Sequence, residues 1–163
     1  MAIILRATVS DDVELLFIER ASHPGDPWSG QIALPGGKHD ATDASLEQTA
    51  VRETREEVAI DLAAQGEVFG ALDELRPRNP LLPPVIVRPF VASVAPDAVV
   101  VPSDEVADHF WAPLDRILDP AATRDTRILV RGYWMRRDAI HYQGHVIWGM
   151  TQNILESFAK VAR

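Results

Sequence analysis

The chain has 163 residues, 47% of them hydrophobic and 25% charged, and a formal net charge of −8. That length and balance suit a globular chain forming one domain, residues 1–163, with enough residues for a substantial core. The acidic balance argues against a general nucleic-acid or anionic-membrane binder. The absence of cysteine excludes disulfides, thiolate catalysis and a Cys-based zinc site. No apolar run approaches the roughly 20 residues that span a bilayer. Met1 to Arg6 is too short and wrongly ordered for a signal peptide, so the cytoplasm is the default compartment.

In chain order, Ala2 to Val9 and Val13 to Ile18 read as two strands of a hairpin around Ser10-Asp11-Asp12. Ala21 to Gly30 holds two prolines and two glycines and reads as a loop. Gln31 to Leu34 is a short strand, followed by Pro35-Gly36-Gly37 and a helix with Asp43 as its N-cap. Ala44, Val51 and Val58 mark the helix's apolar stripe. Val68 to Leu72 reads as a strand. Arg76 to Pro84 holds four prolines and is irregular. Ile86 to Val94 is strand-like, with Pro89 marking an edge or a bulge. Val106 to Trp111 is a further strand, and Leu114 to Leu118 a short helix started by Pro113. Gly132 to Met135 and Ala139 to Tyr142 read as a hairpin around Arg136-Arg137-Asp138. Ile147 to Val161 has the 3.6-residue period of an amphipathic closing helix. Strands and helices mix without βαβ alternation, which points to a mixed sheet flanked by helices.

The stretch from Leu34 to Ile60 carries the chemistry. A helix turns by about 100° per residue, so Glu53, Glu56 and Glu57 fall in one sector of its surface. Three carboxylates so close repel one another. A hard divalent cation neutralises them, because such ions take oxygen ligands. Ion pairing with Arg52 and Arg55 is the competing explanation.

With the Pro-Gly-Gly turn ahead of it, this stretch resembles the signature of the Nudix hydrolases: Gly37, then Arg52, Glu53, Glu56, Glu57 and Ile60. The interval from Gly37 to Arg52 is one residue longer than the family pattern. The pattern's first Glu is absent, with Ala44 or Asp43 at its place depending on the direction of counting. Thr54 replaces an apolar residue, and Ala59 replaces the Gly that usually ends the helix. The resemblance implies an α/β/α sandwich with a mixed β-sheet. It also implies Mg²⁺ or Mn²⁺ held by Glu53, Glu56, Glu57 and a backbone carbonyl at Gly37. Arg52 would orient a glutamate rather than touch substrate.

Two further stretches, Leu16 to Ala21 with Gly30 to Gly37 and Ile147 to Thr151 with Ile154-Leu155, are similar to the coenzyme A pyrophosphatases within that family. The arginine which that subfamily carries in the loop after Arg20 is absent, and Gly25-Asp26-Pro27 stands there. The expected reaction is hydrolysis of the phosphoanhydride in a nucleoside diphosphate linked to a group X, with coenzyme A or a related adenine dinucleotide as leading substrate. A nucleoside triphosphate or nucleotide-sugar pyrophosphatase is the alternative, and a non-catalytic nucleotide-binding module a further one. Candidate substrate contacts are Arg20, Trp28, Lys38, Arg76 and Glu105, with Arg78 and Arg88 as surface cations of the same kind. Trp28 either stacks on a base or anchors its loop. Glu105 is a candidate additional acid. Trp111, Trp134 and Trp148 are assigned to the core, and the histidines to no metal. The partner is a small-molecule nucleotide, with neither nucleic acid nor membrane; a homodimer is compatible with the sequence.

Overall fold

A computed structural model describes residues 1–26, 28–76, 85–130 and 132–162. The frame is a six-stranded sheet built on two neighbouring strands, β1 (Ala2–Ala7) and β2 (Val13–Arg20). They form the expected hairpin, with Leu5 opposite Leu15 and Ala7 opposite Val13. Beyond β1 lie β5 (Phe90–Val94) and then β4 (Gly66–Ala71). On its other side β2 meets β6 (Val106–Pro113) along its length, from Glu14 opposite Pro113 to Arg20 opposite Val106. The end of β2 also pairs with β3 (Ile32–Ala33). β1 and β5 run parallel and the other pairs antiparallel, so the sheet is mixed.

Side chains alternate across a strand with a period of two. Ala2, Ile4, Leu16 and Ile18 accordingly enter one core, and Ile3, Leu15 and Phe17 another on the opposite face. Both faces are covered, which is why β1 and β2 read as continuous apolar runs rather than alternating ones. The first core is closed by α1 (Leu46–Val58) and α2 (Leu62–Gln65), through Ala50, Val58 and Leu62. The second is closed by α3 (Leu114–Ile117) and α4 (Gly149–Ala159), through Ile117, Ile154, Leu155 and Phe158. This is the expected α/β/α sandwich. Phe17 is wholly buried in it. Its truncation to Ala costs about 3–5 kcal/mol.

A second sheet joins β7 (Thr123–Val130), β8 (Tyr133–Tyr142) and β9 (His145–Ile147) in that order, all antiparallel. It departs from the sequence reading. Arg136, Arg137 and Asp138 are not a turn but the middle of β8, paired with Arg127, Thr126 and Asp125. Their side chains point out of an exposed ribbon, where charge is tolerated and carries no turn signal. β7 was unreadable for the same reason. Ile147 ends β9 instead of opening the last helix, which starts at Gly149. β5 begins only after Pro89, at Phe90.

Candidate active site

Between β3 and α1 the chain makes the Pro-Gly-Gly turn. Gly36 has φ of 142°, a backbone that favours glycine, and a Cβ there would lie 2.4 Å from the Met1 Cα. A Cβ on Gly37 would lie 2.3 Å from a carboxylate oxygen of Glu53. Gly36 therefore lets the turn close against Met1, and Gly37 lets it sit directly on the Glu53 side chain of α1. The Gly36 N–H donates to Glu57 Oε2 at 2.7 Å.

α1 does not begin as expected. Its N-cap is Ser45, whose hydroxyl accepts from the Gln48 N–H at 3.1 Å. The Gln48 side-chain oxygen reaches back to the Ala44 N–H, so two free donors are satisfied reciprocally. Ala44 is exposed and forms no stripe. The buried residues of α1 are Thr49, Ala50, Thr54, Glu57 and Val58, a face more polar than the sequence suggests.

Asp43 has another task. Its carboxylate is buried and accepts from Arg52 Nε and Nη2, both at 3.0 Å, from the Asp40 N–H at 3.0 Å and from the Thr49 hydroxyl at 2.8 Å. The two-pronged guanidinium contact, the Asp40 N–H and the Thr49 hydroxyl hold Asp43 far below the usual carboxylate range. Arg52 spends its remaining donors on Glu56 at 2.8 Å, Glu53 at 2.8 Å and the Lys38 carbonyl at 3.1 Å. Asp43, one of the two residues at the place of the missing Glu, is thus an ion-pair partner of Arg52.

Glu57 sits at the other end of α1 under opposite conditions. It is buried, and burial pushes its carboxyl up to about 7. The Gly36 N–H and the Arg20 charge pull it down, while Glu53 and Glu105 push it further up. Arg20, at the end of β2, donates through Nη2 to Asp26 at 3.1 Å, and its buried Nε has no partner among the described residues. Burial pushes Asp26 up, but the Trp28 N–H and Arg20 outweigh it and hold the carboxyl below its usual value. Glu105 is exposed and is tied to the end of β2 by its carbonyl, which accepts from the Ala21 N–H at 2.8 Å.

The fold thus brings Arg20, Gly36, Gly37, Arg52, Glu53, Glu56, Glu57 and Glu105 to one end of the sheet. Trp28 is half-buried beside Asp26, and Lys38 is exposed with its carbonyl on Arg52. Arg76 is exposed and lies 3.4 Å from Glu74. Arg88 approaches the same Glu74 at 3.9 Å. Arg78 and the rest of the proline-rich segment from 77 to 84 lie outside the described residues.

Beside Arg20 a groove of about 540 Å³ opens between Gly25, Asp26 and Ser29 to Gln31 on one side and the end of β7 on the other. It shares Gly30, Gln31, Ile128, Leu129 and Trp148 with a second cleft of about 390 Å³ that reaches Trp134. Trp134 was assigned to the core from sequence. It is instead 61% exposed on the β7–β8 ribbon, with the Arg127 guanidinium 5.1 Å from its ring centroid.

Residues 2–132 match the model of the NUDIX domain. The chain belongs to the Nudix hydrolase family. Among relatives, the Nudix hydrolase NudL of Enterobacter sp. (strain 638), described as uncharacterized, is 38% identical over 152 residues, spanning 89% of this chain and 73% of that protein. The NUDIX domain of Shewanella oneidensis NrtR, solved with ADP ribose, superposes with a TM-score of 0.63 at 18% identity, covering 99% of this chain and 85% of that one. A C. elegans Ap4A hydrolase complex superposes at 0.56 with 24% identity, covering 70% and 78%. These structural likenesses establish the fold. As a Nudix pyrophosphohydrolase, the chain acts on nucleoside diphosphate derivatives, and Nudix hydrolases generally use divalent metal ions.

Among the described residues no three acidic or imidazole side chains converge closely enough to hold an ion as they stand. Glu53 and Glu56 are turned onto Arg52. The donor chemistry nevertheless fits a divalent cation. Glu57 is a carboxylate pushed up first by burial and further by the charges of Glu53 and Glu105, and a cation would relieve that repulsion.

Proposed function

We propose that this Nudix hydrolase cleaves the phosphoanhydride of an adenine nucleoside diphosphate linked to a group X, with coenzyme A or a related adenine dinucleotide as leading substrate. The observation that carries the reading is Glu57. A buried carboxylate beside two other acids, whose hydrogen-bond donor among the described residues is one backbone N–H, suits a cation-dependent phosphoryl site. Glu53, Glu56 and Glu57, with the Gly37 carbonyl, would hold Mg²⁺ or Mn²⁺. Bound there, the metal polarises phosphoryl oxygens and makes its water more acidic.

The chain's own residues do the rest. The water oxygen attacks phosphorus, the bridging P–O bond breaks, and a carboxylate of Glu57 or Glu105 takes the proton. Arg52 is a positioning residue: its contacts with Asp43 and the Lys38 carbonyl fix the guanidinium, which then fixes Glu53 and Glu56. Arg20, with an unpartnered Nε, is the cation best suited to a substrate phosphate.

The coenzyme A reading is supported by the resemblance at Leu16 to Ala21, Gly30 to Gly37 and Ile147 to Thr151. Asp26 weighs against a strong preference for it. Where that subfamily carries an arginine, this chain has an acid that already partners Arg20. The test is a panel of coenzyme A, ADP-ribose and a nucleoside triphosphate with Mg²⁺ or Mn²⁺, read by product identity. 3′,5′-ADP with 4′-phosphopantetheine, or AMP with ribose 5-phosphate, is the expected outcome. Pyrophosphate released from the triphosphate as the dominant product overturns the reading. A hundredfold preference for coenzyme A over ADP-ribose shows that Asp26 does not weaken that substrate.

A further inference from the structure

The two clefts beside Arg20 are absorbed by none of the chemistry above. Asp26 lines the first and is ion-paired to Arg20, whose charge acts on Glu57. The groove therefore opens beside the Arg20–Asp26 ion pair, at the side of the acidic cluster. From there it runs past Trp148, Ile128 and Leu129 to Trp134. Trp134 and Leu129 face each other across the ribbon, and both are more than half exposed, at 61% and 55%.

A tryptophan left so open loses the burial that its large ring would gain elsewhere. Its orientation is nonetheless held, because Arg127 lies over the ring from the opposite strand and diagonal in register. An indole so braced, at the far end of a groove walled by a second tryptophan and aliphatic side chains, is suited to stacking on a flat heteroaromatic ring.

We infer that the cleft from Trp148 to Trp134 and Arg127 receives a second aromatic base, carried by the X side of the substrate. This rests on the proposed anhydride hydrolysis and narrows its substrate class. Within that reading, adenine dinucleotides whose X group carries a second base are then favoured over coenzyme A and ADP-ribose. Trp134 and Arg127 are specificity residues and touch no reacting atom.

The test uses a matched pair. Diadenosine diphosphate and ADP-ribose carry the same ribose–diphosphate–ribose core and differ in the second adenine. For the wild-type protein kcat/KM should be at least about tenfold higher for diadenosine diphosphate, an increment of roughly 1–3 kcal/mol per stacked base. In Trp134→Ala the ratio should fall to about one, and Trp134→Phe should restore most of it. The split should lie in KM, since a stack made equally in the ground and transition states changes binding alone. Equal rates for the two compounds in the wild type, or an unchanged ratio in Trp134→Ala with normal circular dichroism, overturn the inference. If neither compound is cleaved, the hydrolysis reading fails separately. Calorimetric binding then decides the subsite: tighter diadenosine diphosphate binding that is lost in Trp134→Ala supports it, and equal affinities overturn it.

Discussion

The two ends of α1 hold two nearly buried carboxylates that meet opposite fates. Asp43, beside the N-terminal end, is answered by a guanidinium, a backbone N–H and a hydroxyl, and is held ionised well into acid. Glu57, in the last turn, is answered by one backbone N–H and crowded by Glu53 and Glu105, and binds its proton up to about pH 7. The C-terminal end of a helix is also the wrong end for a negative charge. Two buried carboxylates thus end in opposite charge states: partners outweigh burial at Asp43, and burial outweighs the single N–H at Glu57. One end of the helix is a finished structural bracket. The other is an acidic cluster faced by the charges of Arg20 and the Met1 ammonium.

The largest expected effect breaks the unfinished end. Glu57→Gln and Glu56→Gln should each lower turnover at least about 10²-fold, measured as initial rate at saturating Mg²⁺ or Mn²⁺. Rates near wild type in both, with folding intact, would remove the cation site from the mechanism.

The bracket can be loosened next. Arg52→Lys keeps the charge but loses the planar fork that grips Asp43. kcat should fall by about tenfold with KM nearly constant, as expected of a residue acting through Glu53 and Glu56. A large rise in KM at constant kcat would place Arg52 on the substrate instead.

A third measurement sharpens the contrast through pH. The folded Glu57 carboxyl holds its proton more tightly than the unfolded chain does, so this group favours folding below its ordinary value of 4.5. That contribution fades as pH rises through about 7, where the buried group must ionise. Metal-free protein in a chelator should therefore lose about 5 °C or more in Tm between pH 5 and 8. Added Mg²⁺ or Mn²⁺ should restore most of it at pH 8. Glu57→Gln, inactive though it is, should flatten the metal-free profile. An identical pH profile in wild type and variant would show that Glu57 carries no such charge penalty.

The smallest effect concerns how the helix stops. Ala59 adopts φ of 57° and ψ of 20°, a left-handed cap that disfavours a Cβ, and its N–H closes on the Arg55 carbonyl. Ala59→Gly should relieve the strain and stabilise the fold by about 1 kcal/mol in urea titration. No change, or a loss, would mean that the lower chain entropy of Ala outweighs the strain.

Much of this was legible in the sequence. The unbroken apolar runs Ala2 to Leu5 and Leu15 to Ile18 announced β1 and β2, and the Pro-Gly-Gly turn before the glutamates announced the candidate site. What escaped was polarity used for burial. Asp43 passed for a capping residue because its true partner, Arg52, lies nine positions on, a distance that no short-range rule pairs. Thr49, Thr54 and Glu57 share the packed face of α1 with Ala50 and Val58, so the expected stripe holds at Val51 and Val58 and fails at Ala44. The β7–β8 ribbon escaped for the converse reason. Its exposed face alternates Asp125, Arg127 and Leu129 against Asp138, Arg136 and Trp134, so no apolar period marks it.

The lone parallel pair in the main sheet has a consequence for how the molecule assembles. β1 lies between β2, its close neighbour in sequence, and β5, where Ala2 pairs with Phe90 and Arg6 with Val94. The hairpin can form as soon as its few residues exist, but β1 lacks its second neighbour until a long intervening segment has been traversed. That segment contains α1 and the whole acidic site. Closing so long a loop carries an entropic cost that is recovered only when the parallel pair forms. On a ribosome, the glutamates are therefore made before the sheet beneath them is complete, and the acidic helix waits on β5 for its floor.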